Sequence, residues 1–498
     1  MNSVLGAISM LWSGLRKVEA DTHTSAIILL WFVIAVVLAG LLWPGGKGRR
    51  LARQIYAVSV LGFREGLRMK VLWTVFALAV IPGTLAYFSD GDGTHAGRAR
   101  LLLDACLSTG EVLGATLIVL LCALSLAREI ENRIMHTLGT KPVPRWAILA
   151  GKALGFWAVD IMFLAGLTLF TGLLVWMVPL RAETRKIGTL VDSGTWTVPL
   201  RAETPKIGTL VDSGTWEDLR RNALITRTFI RADDEAEKPG FKFIKPGESF
   251  AWNFTLNPDS NRNDPLALRV LLSSTSTFAS HINNVRLVVG YTGQTPFLDR
   301  VMTLPQDRPQ ELFIDPKYAA QGGVMSVSLT AEKPGRGVPS IVAQRPGAVE
   351  LGVTADGFGA NMLKSFLLMA TQGWILALIT TGWSGVLSFP VTVALGAILV
   401  LGGELSRQAA DLLQTGASHA RAIGDADPGM QRNVLNNLQL VLLLLPDFRS
   451  SGSPAAFADG KFLSGWLLAW SALWMGVVRG FGWALPGVLF FRFREVGK

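Results

Sequence analysis

Long unbroken apolar runs constrain this chain most. Ser25–Trp43 reads SAIILLWFVIAVVLAGLLW, with no charged residue. About 20 such residues cross the ~30 Å hydrocarbon core of a bilayer. Comparable runs follow at Val71–Phe88, Leu101–Ala127, Ala147–Met177, Met362–Thr381, Val386–Gly402 and within Phe462–Phe491. They predict an α-helical multi-pass membrane protein with seven spans. Residues 25–44 read as an extra span after an N-terminal segment over 1–24. The run lies deep in the chain and continues into GGKGRR, which lacks the small-x-small pattern of a signal-peptide cleavage site.

Composition agrees. Charged residues make up 17% of the chain, against about 25% in soluble domains, and the mean hydropathy is +0.38. Sixteen Trp stand against 4 Tyr, many of the Trp at the ends of apolar runs, where interfacial belts form. The net charge of +10 raises the question of nucleic acid. The basic residues flank the spans instead of clustering on a face, so a positive-inside bias explains them and no nucleic-acid partner is expected. Cys106 and Cys122 share one run. Sixteen residues of helix separate them by about 24 Å, too far for a disulfide.

Leu51–Met69 is amphipathic, with Arg53, Arg64 and Arg68 among apolar residues, and reads as a helix over 51–70 on the membrane surface. Residues 71–177 hold three spans, with a polar loop over 128–146. Residues 178–361 change character. Short alternating segments at Phe250–Leu256, Ala267–Ser273, Val285–Val289, Glu311–Ile314, Val324–Leu329 and Val349–Val353 are separated by Pro, Gly, Asp and Asn. They predict a β-rich, β-sandwich-like domain. Its first part holds a tandem duplication over 178–197 and 198–217. VPLRAETRKIGTLVDSGTW recurs with Pro205 in place of Arg185. A tolerated surface duplication is the simplest account. Two spans follow over 362–403, then a polar loop over 404–461 and a last span with a basic tail over 462–498.

Basic residues orient the spans. Lys47, Arg49, Arg50, Arg53, Arg64, Arg68 and Lys70 precede the second span. Arg128, Arg133, Lys141 and Arg145 occupy the 128–146 loop, and Arg492, Arg494 and Lys498 end the chain. Alternating spans put all three segments on one side, expected to be cytoplasmic. The β-rich insert is then extracytoplasmic.

The loop and its surroundings carry a family resemblance. EIENRIMHTLGTKPVPRWAILAGKALG resembles the cytoplasmic coupling segment of ABC-2 type transporter permeases, through Glu129, Ile130, Lys141, Pro142, Val143, Arg145, Trp146, Gly151 and Lys152. Gly139-Thr140 departs mildly from that pattern. FREGLRMKVLW at Phe63–Trp73 resembles the family's elbow helix. VLSFPVTVALGAILVLGG and LLLLPDFR with ADGKFLSGWLLAW resemble its later spans and final outer loop. The resemblance implies a bacterial cytoplasmic-membrane permease subunit, a homo- or heterodimer in the bilayer. It also implies an ABC ATPase partner docking on a coupling loop that holds Glu129, Ile130, Glu131, Lys141, Pro142, Val143, Arg145 and Trp146.

No GxxxxGK[ST] phosphate loop, HExxH or CxxC occurs. The expectation is therefore no enzyme and no cofactor of its own, with ATP bound by the partner subunit. Ionisable residues inside spans are functional by default. Asp160, mid-span in GFWAVDIMFLAG, is the candidate intramembrane polar site, balanced against a structural hydrogen bond. Asp104 and Glu111 lie toward the outer end of their span, and Arg479 interrupts the last one. The alternative function is a membrane-anchored scaffold presenting a β-sandwich outside the membrane.

Overall fold

The computed structural model describes residues 47–89, 95–131, 143–192, 225–232, 242–244, 248–256, 266–274, 281–305, 310–314, 323–331, 341–343, 348–402, 457 and 460–493. Its helices are α1 (Lys47–Arg68), α2 (Lys70–Phe88), α3 (His95–Glu131), α4 (Arg145–Asp192) and α5 (Phe358–Ser384). A short apolar α6 spans Phe389–Gly402. The last helix, α7, runs through Gly465–Trp470, a π-helical stretch Ser471–Arg479, and Gly480–Phe493.

Among the described residues five helical segments are long and apolar enough to cross a membrane: Lys70–Phe88, Arg98–Glu129, Arg145–Val178, Phe358–Ser384 and Gly465–Phe491. The expected count was seven. Residues 1–44, with the extra span, fall outside the described residues. At 1.5 Å per residue α6 rises about 21 Å, short of the ~30 Å core.

The spans pack through one apolar core. Leu102, Leu117 and Leu121 of α3, Phe156 and Phe163 of α4, and Ile375 and Ile379 of α5 belong to it. Small residues set the closest approaches, as is usual where lipid removes the hydrophobic drive between helices. Gly151 and Gly155 let α1 lie directly on α4. A Cβ at Gly155 would sit 2.5 Å from Ser59 O and 2.8 Å from Phe63 N. On the far side Gly487 of α7 meets Gly382 of α5, where a Cβ would come 2.6 Å from Gly382 O.

The β-rich region has eleven strands: β1 (Ile225–Arg231), β2 (Lys242–Ile244), β3 (Ser249–Leu256), β4 (Leu266–Val270), β5 (Ser273–Ser274), β6 (His281–Tyr291), β7 (Leu298–Pro305), β8 (Gln310–Ile314), β9 (Gly323–Ala331), β10 (Ile341–Ala343) and β11 (Val349–Gly357). All pairings between these strands are antiparallel, and Arg227 makes one isolated parallel bridge to Lys461. The sheets are ordered β1-β11-β4-β8, β3-β9-β6-β7 and a small β2-β10-β5. Alternate residues point inward, as a half-buried strand requires. Trp252, Phe254 and Leu256 of β3 share a core with Leu266, Leu268 and Val270 of β4 and Val349, Leu351 and Val353 of β11. The two four-stranded sheets thus bury their inner faces together.

The boundaries differ from the sequence reading. Among the described residues the first strand begins at Ile225, ahead of the first one expected at Phe250. Helix α4 continues past its apolar run to Asp192, through most of the first repeat copy. Leu180–Glu183 supplies good helix formers directly after a span, so propagation costs little there. The second copy lies outside the described residues.

The sheets join the bundle at one end. Arg227 of β1 donates its backbone N–H to Gly460 O at 2.8 Å and accepts from Phe462 N at 2.9 Å. Asn361, at the start of α5, donates from Nδ2 to Lys461 O at 2.9 Å and accepts from Leu463 N at 2.8 Å. Arg100, in the first turns of α3, pairs with Glu311 of β8 at 2.6 Å. The other end of α3 leads into the 128–146 loop, so loop and sheets lie at opposite ends of that helix.

Candidate functional site

Two buried polar groups interrupt the apolar bundle. The first surrounds Lys152, about two turns into α4 and fully buried. Its Nζ lies 2.6 Å from Glu129 Oε1, donates to Ser125 Oγ at 2.7 Å and reaches Glu65 Oε2 at 3.4 Å. Glu65 belongs to α1, and Ser125 and Glu129 to α3. A buried ammonium costs several kcal/mol unless charge and hydrogen bonds satisfy it. Here three elements contribute, so the charge ties α1, α3 and α4 together beside the loop.

The second centres on Asp160, eight residues further along α4, or about 12 Å. Its side chain is 1% exposed, and Oδ1 has no hydrogen-bond partner among the described residues. Glycines make room for it. A Cβ at Gly114 of α3 would lie 3.1 Å from Oδ1, and one at Gly373 of α5 would overlap Oδ2. The carboxylate borders a cavity of about 70 Å³ between α3, α4, α5 and α6, lined also by Glu111, Gln372, Leu164, Met369 and Val400. Cys122 of α3 points its Sγ at Ala377 O of α5, 4.0 Å away. Among the described residues no three His, Cys, Asp or Glu side chains assemble as a metal site would require.

Residues 56–187 match the family model of the ABC-2 family transporter protein. The chain carries an ABC-2 transporter domain. That domain runs from α1 through α2, α3 and the loop into α4, and so contains both Lys152 and Asp160. Comparison with curated proteins and with solved structures gives no match.

The loop residues of the ABC-2 transporter domain fall into two sets. Glu129, expected as part of the coupling loop, is 8% exposed, with its carboxylate on Lys152. Val143 packs beside the Leu126, Ile148, Leu149 and Phe491 cluster. Arg145 and Trp146 are exposed, and Arg145 Nη1 donates to Phe491 O at 3.4 Å. Ile130 and Glu131 close α3. Lys141 and Pro142 lie outside the described residues. Asp104 is exposed, and the Arg479 guanidinium sits 6.0 Å from the Trp474 ring.

Sequence reasoning found Asp160 because an acid in an apolar run is conspicuous. It did not find Glu65 as a partner of Lys152, or Gly114 and Gly373 as the residues that admit Asp160. The one available signal was Lys152 itself, a cation within AILAGKALGF.

Proposed function

We propose that this chain is the membrane-spanning permease subunit of an ABC-type transporter. A separate ATPase chain hydrolyses ATP and docks at the 128–146 loop. The step it drives is substrate export, or mechanical work on the β-rich domain. The observation that carries this reading is the ABC-2 transporter domain over residues 56–187.

The packing supports it. A loop moved by a bound partner pulls on whatever its flanks are fixed to. Both flanks, at Glu129 and Lys152, are fixed to each other and to α1 through Glu65. A push on the loop therefore reaches two spans and the surface helix as one body. With the basic 128–146 loop cytoplasmic, the sheets at the opposite end of α3 lie outside. Two permease copies, alike or different, would complete the path.

Glu129 is committed to Lys152, so the test falls on two basic residues of the loop, of which Arg145 is exposed. Lys141→Glu with Arg145→Glu, in the full chain, should abolish co-purification of an ABC ATPase while leaving the chain in the membrane. Unchanged ATPase binding would show that the docking site is elsewhere. Absence of any ATPase from wild-type preparations, with a ligand held by the β-rich domain, would favour the anchored-scaffold reading.

A further inference from the structure

The cavity beside Asp160 is chemically one-sided. Its polar lining is Asp160, Glu111 and Gln372, and among the described residues no Lys, Arg or His borders it. The nearest cation along α4, Lys152, is already held by Glu129, Ser125 and Glu65. Asp160 is 1% exposed, and among the described residues Oδ1 has no hydrogen-bond partner. An unpaired carboxylate in a low-dielectric interior is costly, and a cation relieves that cost. An anionic guest would repel the carboxylate, and an uncharged polar one could hydrogen-bond it but would not neutralise its charge.

The remaining walls are apolar: Leu164, Met369, Leu376 and Val400. Two residues at the cavity, Val112 and Leu401, are 50% and 59% exposed. They lie on the apolar helices α3 and α6, on faces left exposed. A volume of 70 Å³ holds about five water-sized groups at the ~10–15 Å³ each requires. That suits a small ammonium headgroup, with its chain left along the apolar wall.

We propose that this cavity binds the cationic headgroup of an amphiphile entering from the bilayer, with Asp160 as its counter-charge. Treating the guest as cargo rests on the permease reading; its binding does not.

The test uses the full chain in nanodiscs of zwitterionic lipid. Decyltrimethylammonium, decyl phosphate and decyl maltoside are titrated below their micellar concentrations and followed by calorimetry. The cationic probe should bind at one per chain, at least tenfold more tightly than the other two. Asp160→Asn should weaken it at least tenfold and leave decyl maltoside unaffected. Equal binding of the three probes to wild type would overturn the proposal, whether or not the variant folds. So would undiminished cation binding by Asp160→Asn, which would leave the carboxylate holding a proton only. ATPase co-purification is measured on the same samples. Its loss with cation binding intact would refute the permease reading alone, and the converse would refute only the cavity's ligand.

Discussion

Lys152 Nζ lies 2.6 Å from Glu129 Oε1, and this pair joins the two helices that flank the 128–146 loop. Lys152→Met should therefore destabilise the chain strongly. It leaves the Glu129 carboxylate buried without its cation, an arrangement that costs about 3–5 kcal/mol. Lys152→Met combined with Glu129→Leu should recover most of that loss, since neither charge then remains. Thermal unfolding in detergent across the double-mutant cycle checks this. Additive losses would mean that the two residues act independently.

The contact between α1 and α4 should be intolerant of any added bulk. Gly155→Val places a branched side chain where even a Cβ would meet Ser59 O at 2.5 Å and Phe63 N at 2.8 Å. Backbone cannot yield as a flexible side chain does, so α1 must separate from α4. The expected cost is several kcal/mol, together with faster proteolysis within α1. By contrast Gly172→Ala meets nothing within 4 Å and should be neutral or slightly stabilising, since Ala is the better helix former by about 1 kcal/mol. Equal behaviour of the two variants would contradict the packing described.

Asn361 holds the end of the bundle nearest the sheets. Its amide donates to Lys461 O and accepts from Leu463 N, and the side chain is fully buried. Asn361→Leu removes both bonds and leaves two backbone groups without partners, at about 1–3 kcal/mol for each group left buried. Hydrogen exchange should rise at Leu463 and at Phe462, whose N–H bonds Arg227 O. Exchange near Lys152 should stay unchanged.

How much of this was legible depended on whether the chemistry is local. The spans were legible because lipid demands continuous apolar runs, and Leu101–Ala127 can hardly be anything else. Strands β3, β6 and β9 were legible through alternation. Strands β1, β7 and β10 were not, because ITRTFIR and LDRVMTLP mix charge into their pattern. Helix α4 overran the expected boundary because Pro179 and Gly188 suggest a break that the preceding span overrides. Asp160 stood out by type. The partners of Lys152 did not, since Glu65 lies 87 residues away and only the packing of α1 onto Gly151 and Gly155 brings it near.

The β6–β7 hairpin offers a pH-dependent reading. Arg286 donates to Asp299 through Nε at 2.8 Å and Nη2 at 2.7 Å. These bonds hold the Asp299 carboxyl below its ordinary value of 3.8. A depressed carboxyl contributes stability above its unfolded value and loses it as pH falls through the folded one. The pair is about half exposed, so the contribution is small. Wild type should melt slightly above Asp299→Asn at pH 6, and the difference should close as pH drops below 3.8. A gap that widens on acidification would contradict this sign.

The duplication can be tested by removing either copy, because the two resulting chains differ at only two places. Deleting residues 198–217 keeps Arg185 within α4, which extends to Asp192. Deleting residues 178–197 joins Met177 to Val198 and places Pro205 where Arg185 stood. Proline in a helix interior removes a hydrogen bond and clashes with the preceding turn, at a cost of ~3 kcal/mol. Both chains should reach the membrane and retain an ATPase partner, because the deletions lie beyond the spans that flank the loop. They should part under limited trypsin digestion, with cleavage after Lys206 in the second chain faster than after Lys186 in the first. Loss of either chain from the membrane fraction would show that the repeat does more than extend α4. Equal cleavage would show that the helical extension is not what the Arg185 position supports.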